Sequence, residues 1–196
     1  MPISKKIIDK CKTNDRDAQK LIFETYASQV LAICVRYVKE VSIAEDIMQE
    51  TFITVFLKIS QFKGTGALGG WIKRIAVNTS LMHLREAKKS ISSNNLEYFL
   101  KEEENYEPEI IYDITNRKGI IEQADFSSQE MMDAITLLPH GFRTVFNLYA
   151  IEGYKHKEIA KQLEISIGTS KSQLLRARKK LQKILYIKAI EKKKNK

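Results

Sequence analysis

The sequence predicts an all-α protein made of two small helical domains joined by a flexible linker. Three observations carry that expectation. Apolar residues recur at three- and four-residue steps through most of the chain, the spacing of a helix with one buried face. Only 3 prolines and 8 glycines interrupt 196 residues, and β-branched runs are few. One polar and acidic stretch near the middle breaks the pattern and separates two blocks. The expected domains are residues 1–88 and 127–196, with 89–126 as the linker.

The first block opens with a helix that Asp17 is placed to cap. Its apolar face is Ile22, Tyr26, Val30, Ile33, Cys34 and Tyr37. Ser42-Ile43-Ala44-Glu45 has the spacing of a capping box. It starts a second helix in which Ile47, Met48, Phe52, Val55, Phe56 and Ile59 face inward. Asp46, Gln49, Glu50 and Ile53 fall on the opposite stripe. By spacing alone, that stripe is either a solvated face or a docking surface for a basic partner.

Gln61 to Gly70, QFKGTGALGG, places four glycines within ten residues. Such a loop tolerates positive φ or close approach of a ligand. No Gly-Lys-Ser/Thr follows, so it is not a phosphate-binding P-loop. A helix is expected from Trp71, with Ile72, Ile75, Leu81, Met82 and Leu84 packed inside. Lys73, Arg74, Asn78 and Arg85 project from its other side. Cations for phosphate, a flat side chain for stacking and an amide for base edges are the ingredients for holding single-stranded nucleic acid. A buried Trp71 with solvated charges is the equal alternative.

Past Ser90 the chain turns polar, SISSNN, and then acidic, with Glu102, Glu103, Glu104, Glu107 and Glu109 around Pro108. This is the expected linker, with Phe99, Tyr106, Ile110, Ile111 and Tyr112 as apolar anchors. Ser127-Ser128-Gln129-Glu130 is a second capping box. It opens a helix bearing Met131, Met132, Ile135, Leu137 and Leu138 that Pro139 stops. Phe142, Val145, Phe146, Leu148 and Tyr149 mark the next helix, and Gly153 ends it.

Lys155 to Ile184 then reads as a helix-turn-helix. Ile159, Ala160 and Leu163 belong to a supporting helix, and Ser166 caps the recognition helix. Ser170, Leu174, Ala177, Leu181 and Ile184 line the inner face of that helix. Thr169, Ser172, Gln173, Arg176 and Lys180 point outward, where short hydroxyls, an amide and a guanidinium reach base edges. Lys171, Arg178 and Lys179 suit phosphates. The tail to Lys196, EKKKNK, reads as a frayed helix end.

The formal net charge of +9 fits a polyanionic partner. Cys11 and Cys34 fit neither a disulfide framework nor a zinc site. His83, His140 and His156 stand apart, and the carboxylates that group together do so on a helix stripe or in the linker. No cofactor, metal or catalytic set is therefore expected, and the chain is not expected to be an enzyme. MPISKKIIDKCK has no apolar signal region, and no apolar run approaches the roughly 20 residues of a membrane span. A cytoplasmic protein without membrane insertion is the expectation.

In order, AEDIMQETF, FKG, WIKRIAVNTSLMHLR, LP, EGYKHKEIA and GTSKSQLLRARKKL resemble an RNA polymerase sigma factor of the small extracytoplasmic-function (ECF) kind. The resemblance covers roughly residues 5–88 and 127–186. It implies a sigma-2 helical bundle followed by a sigma-4 helix-turn-helix. Asp46, Gln49, Glu50 and Ile53 would then bind the clamp helices of the polymerase β′ subunit, and the second domain would meet the β flap. Lys63, Gly64, Trp71, Lys73, Arg74, Asn78 and Arg85 would open and read the minus-ten DNA. Thr169, Lys171, Ser172, Gln173, Arg176, Arg178 and Lys179 would read the minus-thirty-five element. The linker would lie in the polymerase channels, and an anti-sigma factor would be a further partner. The chain departs from the family pattern at four places: Ala67 to Gly70 in the loop, Gln173 where Arg is frequent, Glu164 at a turn where Gly is usual, and Lys155 where a capping Ser is common. A stand-alone helix-turn-helix regulator is the alternative. It accounts for residues 127–186 but leaves the motifs of 42–85 without a role.

Overall fold

The computed structural model describes residues 3–90 and 114–194, and no strand occurs among them. The chain divides into two compact units, Met1–Ser90 and Ile91–Lys196. The acidic run from Glu97 to Asp113 and its apolar anchors lie outside the described residues.

In the first unit α1 (Lys5–Lys12) leads into α2 (Arg16–Val38). Asp15 caps α2, not Asp17: its carboxylate accepts the Ala18 N–H at 2.9 Å, and Asp17 lies in the first turn. Both acids suit a helix N-terminus, so residue type alone did not separate cap from first turn. Lys39 takes φ 65° and turns the chain sharply. The next helix, α3 (Val41–Lys58), therefore starts before the expected Ser42 cap, with Glu40 at the cap position. Ser42 is drawn into local pairing, its hydroxyl donating to Glu40 Oε1 at 3.2 Å.

A short 3₁₀ turn, Ile59–Gln61, and a loop precede α4 (Leu68–Ser90). Helices α2, α3 and α4 pack on one another, and α1 packs on α2. The core between them holds Ile22, Val30 and Tyr37 of α2, Ile47, Phe52 and Val55 of α3, and Ile72, Ala76 and Val77 of α4. Each large aliphatic side chain buried this way contributes about 1.5–3 kcal/mol. Phe23 meets Phe52 edge-on at 4.8 Å. The buried hydroxyls of Thr51 and Ser80 donate back to Ile47 O and Ala76 O, at 2.7 and 2.8 Å. Cys11 and Cys34 are both buried free thiols, and burial pushes the Cys34 thiol up to about 11. By length and composition α2 is apolar enough to cross a membrane. In this fold its buried residues form the centre of the core.

The second unit contains α5 (Ile114–Gln123), α6 (Ser128–Thr136) and α7 (His140–Phe146). A π-helical turn, Asn147–Ile151, continues α7 before α8 (His156–Leu163) and the long α9 (Ile167–Lys194). Its core is Ala134, Ile135, Leu138, Phe142, Ala177, Leu181 and Leu185. Ile121 and Phe126, which the sequence placed in the linker, pack against this core. Two apolar residues in a short polar context gave no readable period.

The Ser127 capping box forms as its spacing predicts. Ser127 Oγ accepts the Glu130 N–H at 3.2 Å, and Glu130 Oε2 accepts the Ser127 N–H at 2.7 Å. Leu137, expected inside, is 56% exposed because it stands at the C-cap, past the helix face. Arg143 is buried, and its guanidinium donates to Thr136 O at 3.1 Å and Leu138 O at 3.5 Å. It thereby closes the carbonyl end of α6. The tail departs from the frayed end expected of it. Helix α9 continues through Lys194, and Lys192 Nζ donates to Asp125 O at 2.9 Å.

Candidate nucleic-acid interfaces

On the first unit, Asp46, Gln49, Glu50 and Ile53 are all exposed on one side of α3. The structure adds Leu57, which the sequence reading left out: it is 77% exposed, one turn beyond Ile53. The i, i+4 step from Ile53 was the available signal. Ile53, Phe56 and Leu57 line one wall of an open cavity of about 450 Å³, which Lys12 and Gln19 also border. The acidic and amide stripe therefore ends at a recess of mixed lining, apolar on the α3 side and polar at Lys12, Asn14, Gln19 and Ser60.

The glycine-rich loop is shorter than expected. Helix α4 begins at Leu68, so Gly69 and Gly70 lie in its first turn. Gly69 makes a close approach there: a Cβ would stand 3.0 Å from the edge of the Tyr26 ring, which would have to give way by a few tenths of an ångström. Lys63 and Gly64 are exposed in the remaining loop, with Gly64 at φ +71°. That conformation favours glycine. Trp71 is half-buried and packs against Phe62, ring centroids 5.6 Å apart. It is thus neither a core residue nor a free stacking platform.

At 100° per residue, Trp71, Arg74, Asn78 and Arg85 share one stripe of α4. Arg74, Asn78 and Arg85 are exposed. Met82, expected to pack inside, is 47% exposed on the same stripe. Lys73 falls on the other side of the helix and is half-buried. The structure therefore separates Lys73 from the group in which it was placed.

On the second unit, α8 ends at Glu164 in the left-handed conformation, φ 56° and ψ 41°. Lys155 holds the N-cap of α8. It has no acceptor to offer, so half of a capping box remains: Glu158 Oε2 accepts the Lys155 N–H at 2.7 Å. Ser166 caps α9, its Oγ accepting the Thr169 N–H at 2.9 Å. Ser170, Leu174, Ala177 and Leu181 are buried, as their period predicts.

Ser172, Arg176 and Lys179 form the centre of the outward face and are exposed. Gln173 and Thr169 lie on one shoulder, half-buried. The Thr169 hydroxyl is already engaged, 2.8 Å from Ser166 Oγ, and Ser172 Oγ donates to Thr169 O at 3.0 Å. Ser172 keeps its lone pairs for an incoming donor. Lys171 and Arg178, two turns apart, form the other shoulder and are exposed.

That second shoulder adjoins a group the sequence reading left unassigned. His156, at the start of α8, has Nδ1 2.9 Å from the buried Ser170 Oγ. Its ring stacks on Tyr149, centroids 4.6 Å apart, and the Arg178 guanidinium lies 5.7 Å from the Tyr149 centroid. Partial burial, with Lys171 and Arg178 nearby, lowers the His156 pKa below its ordinary value. No spacing rule links positions 149, 156 and 170.

Comparison with known proteins finds one family match within each of the two units. Residues 22–90 match the family model of Sigma-70 region 2, and residues 128–181 that of Sigma-70, region 4. The ECF RNA polymerase sigma factor SigW of Bacillus subtilis is 31% identical over 92% of this chain and 96% of its own. The RNA polymerase sigma-H factor of Pseudomonas aeruginosa is 28% identical over 91% and 92% of the two chains. The structure of the sigma factor RpoE in complex with the anti-sigma factor NepR, from Bartonella quintana, superposes with a TM-score of 0.48. It is 19% identical over 85% of this chain and 95% of that one.

Proposed function

Since the chain belongs to the ECF RNA polymerase sigma factors, we propose that it binds core RNA polymerase in the cytoplasm and directs it to specific promoters. It acts as a specificity subunit, without catalysis of its own, and its work is done by surfaces. The observation that carries the reading is the pairing of two nucleic-acid-suited faces in one chain, each on its own unit. One is the Arg74–Asn78–Arg85 stripe beside the Gly64 loop, and the other is the outward face of α9.

The two faces suit different forms of DNA. Side chains of α9 projecting from a single exposed helix fit the major groove of a duplex. There Ser172, Gln173 and Arg176 meet base edges, while Lys171, Arg178 and Lys179 hold phosphates and set the salt dependence. The first unit offers a positive-φ glycine loop, an indole edge and an amide between two arginines. This suits a base flipped out of a melted minus-ten strand, a step that costs a few kcal/mol and favours easily unstacked sequences. The acidic stripe Asp46–Glu50, with Ile53 at its end, docks on the β′ clamp helices, and the second unit meets the β flap. An anti-sigma factor holds the chain inactive by covering these surfaces.

Run-off transcription with core polymerase over a promoter library tests the whole reading. Core plus this chain is expected to start at a defined promoter, while core alone does not. Asp46→Lys with Glu50→Lys is expected to abolish co-elution with core and leave the helical circular dichroism unchanged. Tight operator-specific binding by the chain alone, with no promoter-specific initiation, would overturn the proposal in favour of a stand-alone regulator.

A further inference from the structure

The His156 cluster is built from three segments. Tyr149 comes from the π-helical turn, His156 from the first turn of α8, and Ser170 with Lys171 and Arg178 from α9. Tyr149 stacks on the imidazole, and Ser170, fully buried, meets Nδ1 at 2.9 Å. The ring is therefore held in place from two sides. A hydroxyl both donates and accepts. With neutral His156 it can donate to Nδ1; with the imidazolium it can turn and accept from Nδ1–H. The contact survives protonation, so a proton at His156 adds charge without unseating the helix pair.

That charge falls on the shoulder of α9 where Lys171 and Arg178 are exposed. The ionisable groups packed around the ring from α9 are both cationic, and the one from the π-helical turn is the phenol of Tyr149. In its own helix Lys155 and Lys157 adjoin it in sequence, with Glu158 the nearest acid. In the free chain this company opposes protonation. A phosphate backbone laid across Lys171 and Arg178 reverses the sign of the local field.

We propose that His156 is a proton-linked member of the phosphate-binding shoulder, taking up a proton as duplex DNA covers Lys171 and Arg178, so that this chain holds duplex more tightly as the pH falls. The inference rests on the reading of α9 as a duplex-binding helix. By linkage, a proton taken up on binding makes affinity rise with acidity, over the interval between the free and bound pKa of His156. His156 then supplies affinity rather than sequence preference, as phosphate contacts do.

The test uses the full chain and a fluorescent 25-bp duplex of random sequence at low salt, with anisotropy read from pH 8 to 5.5. Wild type is expected to tighten by about threefold to tenfold on acidification. His156→Asn keeps a polar atom near the position of Nδ1 but cannot titrate; it is expected to bind with a nearly flat pH profile. Matching profiles for wild type and His156→Asn, or a flat wild-type profile, overturn the inference and leave the reading of α9 intact. Unchanged binding after Lys171→Gln with Arg178→Gln shows that the duplex lies elsewhere and overturns both. A second readout is the His156 Hε1 resonance followed through a pH titration. Its midpoint is expected to rise on addition of duplex, and an unmoved midpoint also overturns the inference.

Discussion

Lys192 Nζ lies 3.0 Å from Glu130 Oε2 and 3.1 Å from Oε1, joining the last turn of α9 to the first turn of α6 across 62 residues of sequence. The same ammonium stands 5.4 Å from the centroid of the Phe126 ring. Glu130 is doubly committed, because it also accepts the Ser127 N–H of the capping box. That hydrogen bond first, and Lys192 second, hold its carboxyl down at about 2, against an ordinary 4.5. A depressed carboxyl stabilises the fold above its unfolded pKa and loses that contribution as pH falls towards the folded value. Lys192→Ala is therefore expected to lower the thermal midpoint at pH 6. The difference from wild type should shrink between pH 4.5 and 2, as thermal melts across that range will show. A constant difference down to pH 2 would rule out the ion pair as its cause.

Glu164 sits at φ 56°, ψ 41°, in the turn between α8 and α9. Non-glycine residues hold this conformation at a cost of roughly 1 kcal/mol. The carbonyl end of α8 is nonetheless closed, with the Glu164 and Ile165 N–H groups both donating to Ala160 O. Glu164→Gly keeps those backbone bonds and removes the steric term. It is expected to raise stability by about 0.5–1 kcal/mol in urea unfolding, less what glycine loses in unfolded-chain entropy. A loss of stability would show that the Glu164 side chain contributes more than its backbone costs.

Arg143 is a buried cation whose visible work is to satisfy Thr136 O and Leu138 O. Burial lowers its pKa to about 10, so it stays charged at neutral pH. Arg143→Met roughly preserves volume but leaves those carbonyls without that donor. The expected loss is about 1–3 kcal/mol, the penalty for unsatisfied buried polar groups. Arg143→Lys is expected to recover only part, because an ammonium does not reproduce the fork of the guanidinium. Chemical denaturation of both variants tests this, and a neutral Arg143→Met would refute the capping role.

The helices themselves were legible because their signal is periodic. The buried positions of α9 and the Ser127 box appear where spacing puts them. Boundaries were less legible, since they depend on chain reversals that spacing does not encode. Lys39 at φ 65° moved the start of α3, and the approach of Gly69 to Tyr26 accompanies an early start of α4. Residues that act through tertiary contact were not legible. Nothing in the string EGYKHKEIA distinguishes His156 from a solvated residue, and Lys192 read as one lysine of a basic tail. Lys73 and Arg74, neighbours in sequence, fall on different sides of α4, and only the helix phase relative to the core reveals it.

Gln173 stands on the shoulder of α9 one turn beyond Thr169, in the second turn of the recognition helix. An amide in the major groove pairs best with the N6/N7 edge of adenine, and a guanidinium with the O6/N7 edge of guanine. Gln173→Arg is therefore expected to move preference at one minus-thirty-five position from adenine towards guanine, by about 1–3 kcal/mol of discrimination. The minus-ten preference should stay unchanged, because its candidate residues belong to the other unit. Run-off transcription with core polymerase over two promoter libraries, each randomised at one element, separates these outcomes. A shift in both libraries would point to altered polymerase binding. No shift in either would remove Gln173 from the base-reading set and leave Ser172 and Arg176 as its members.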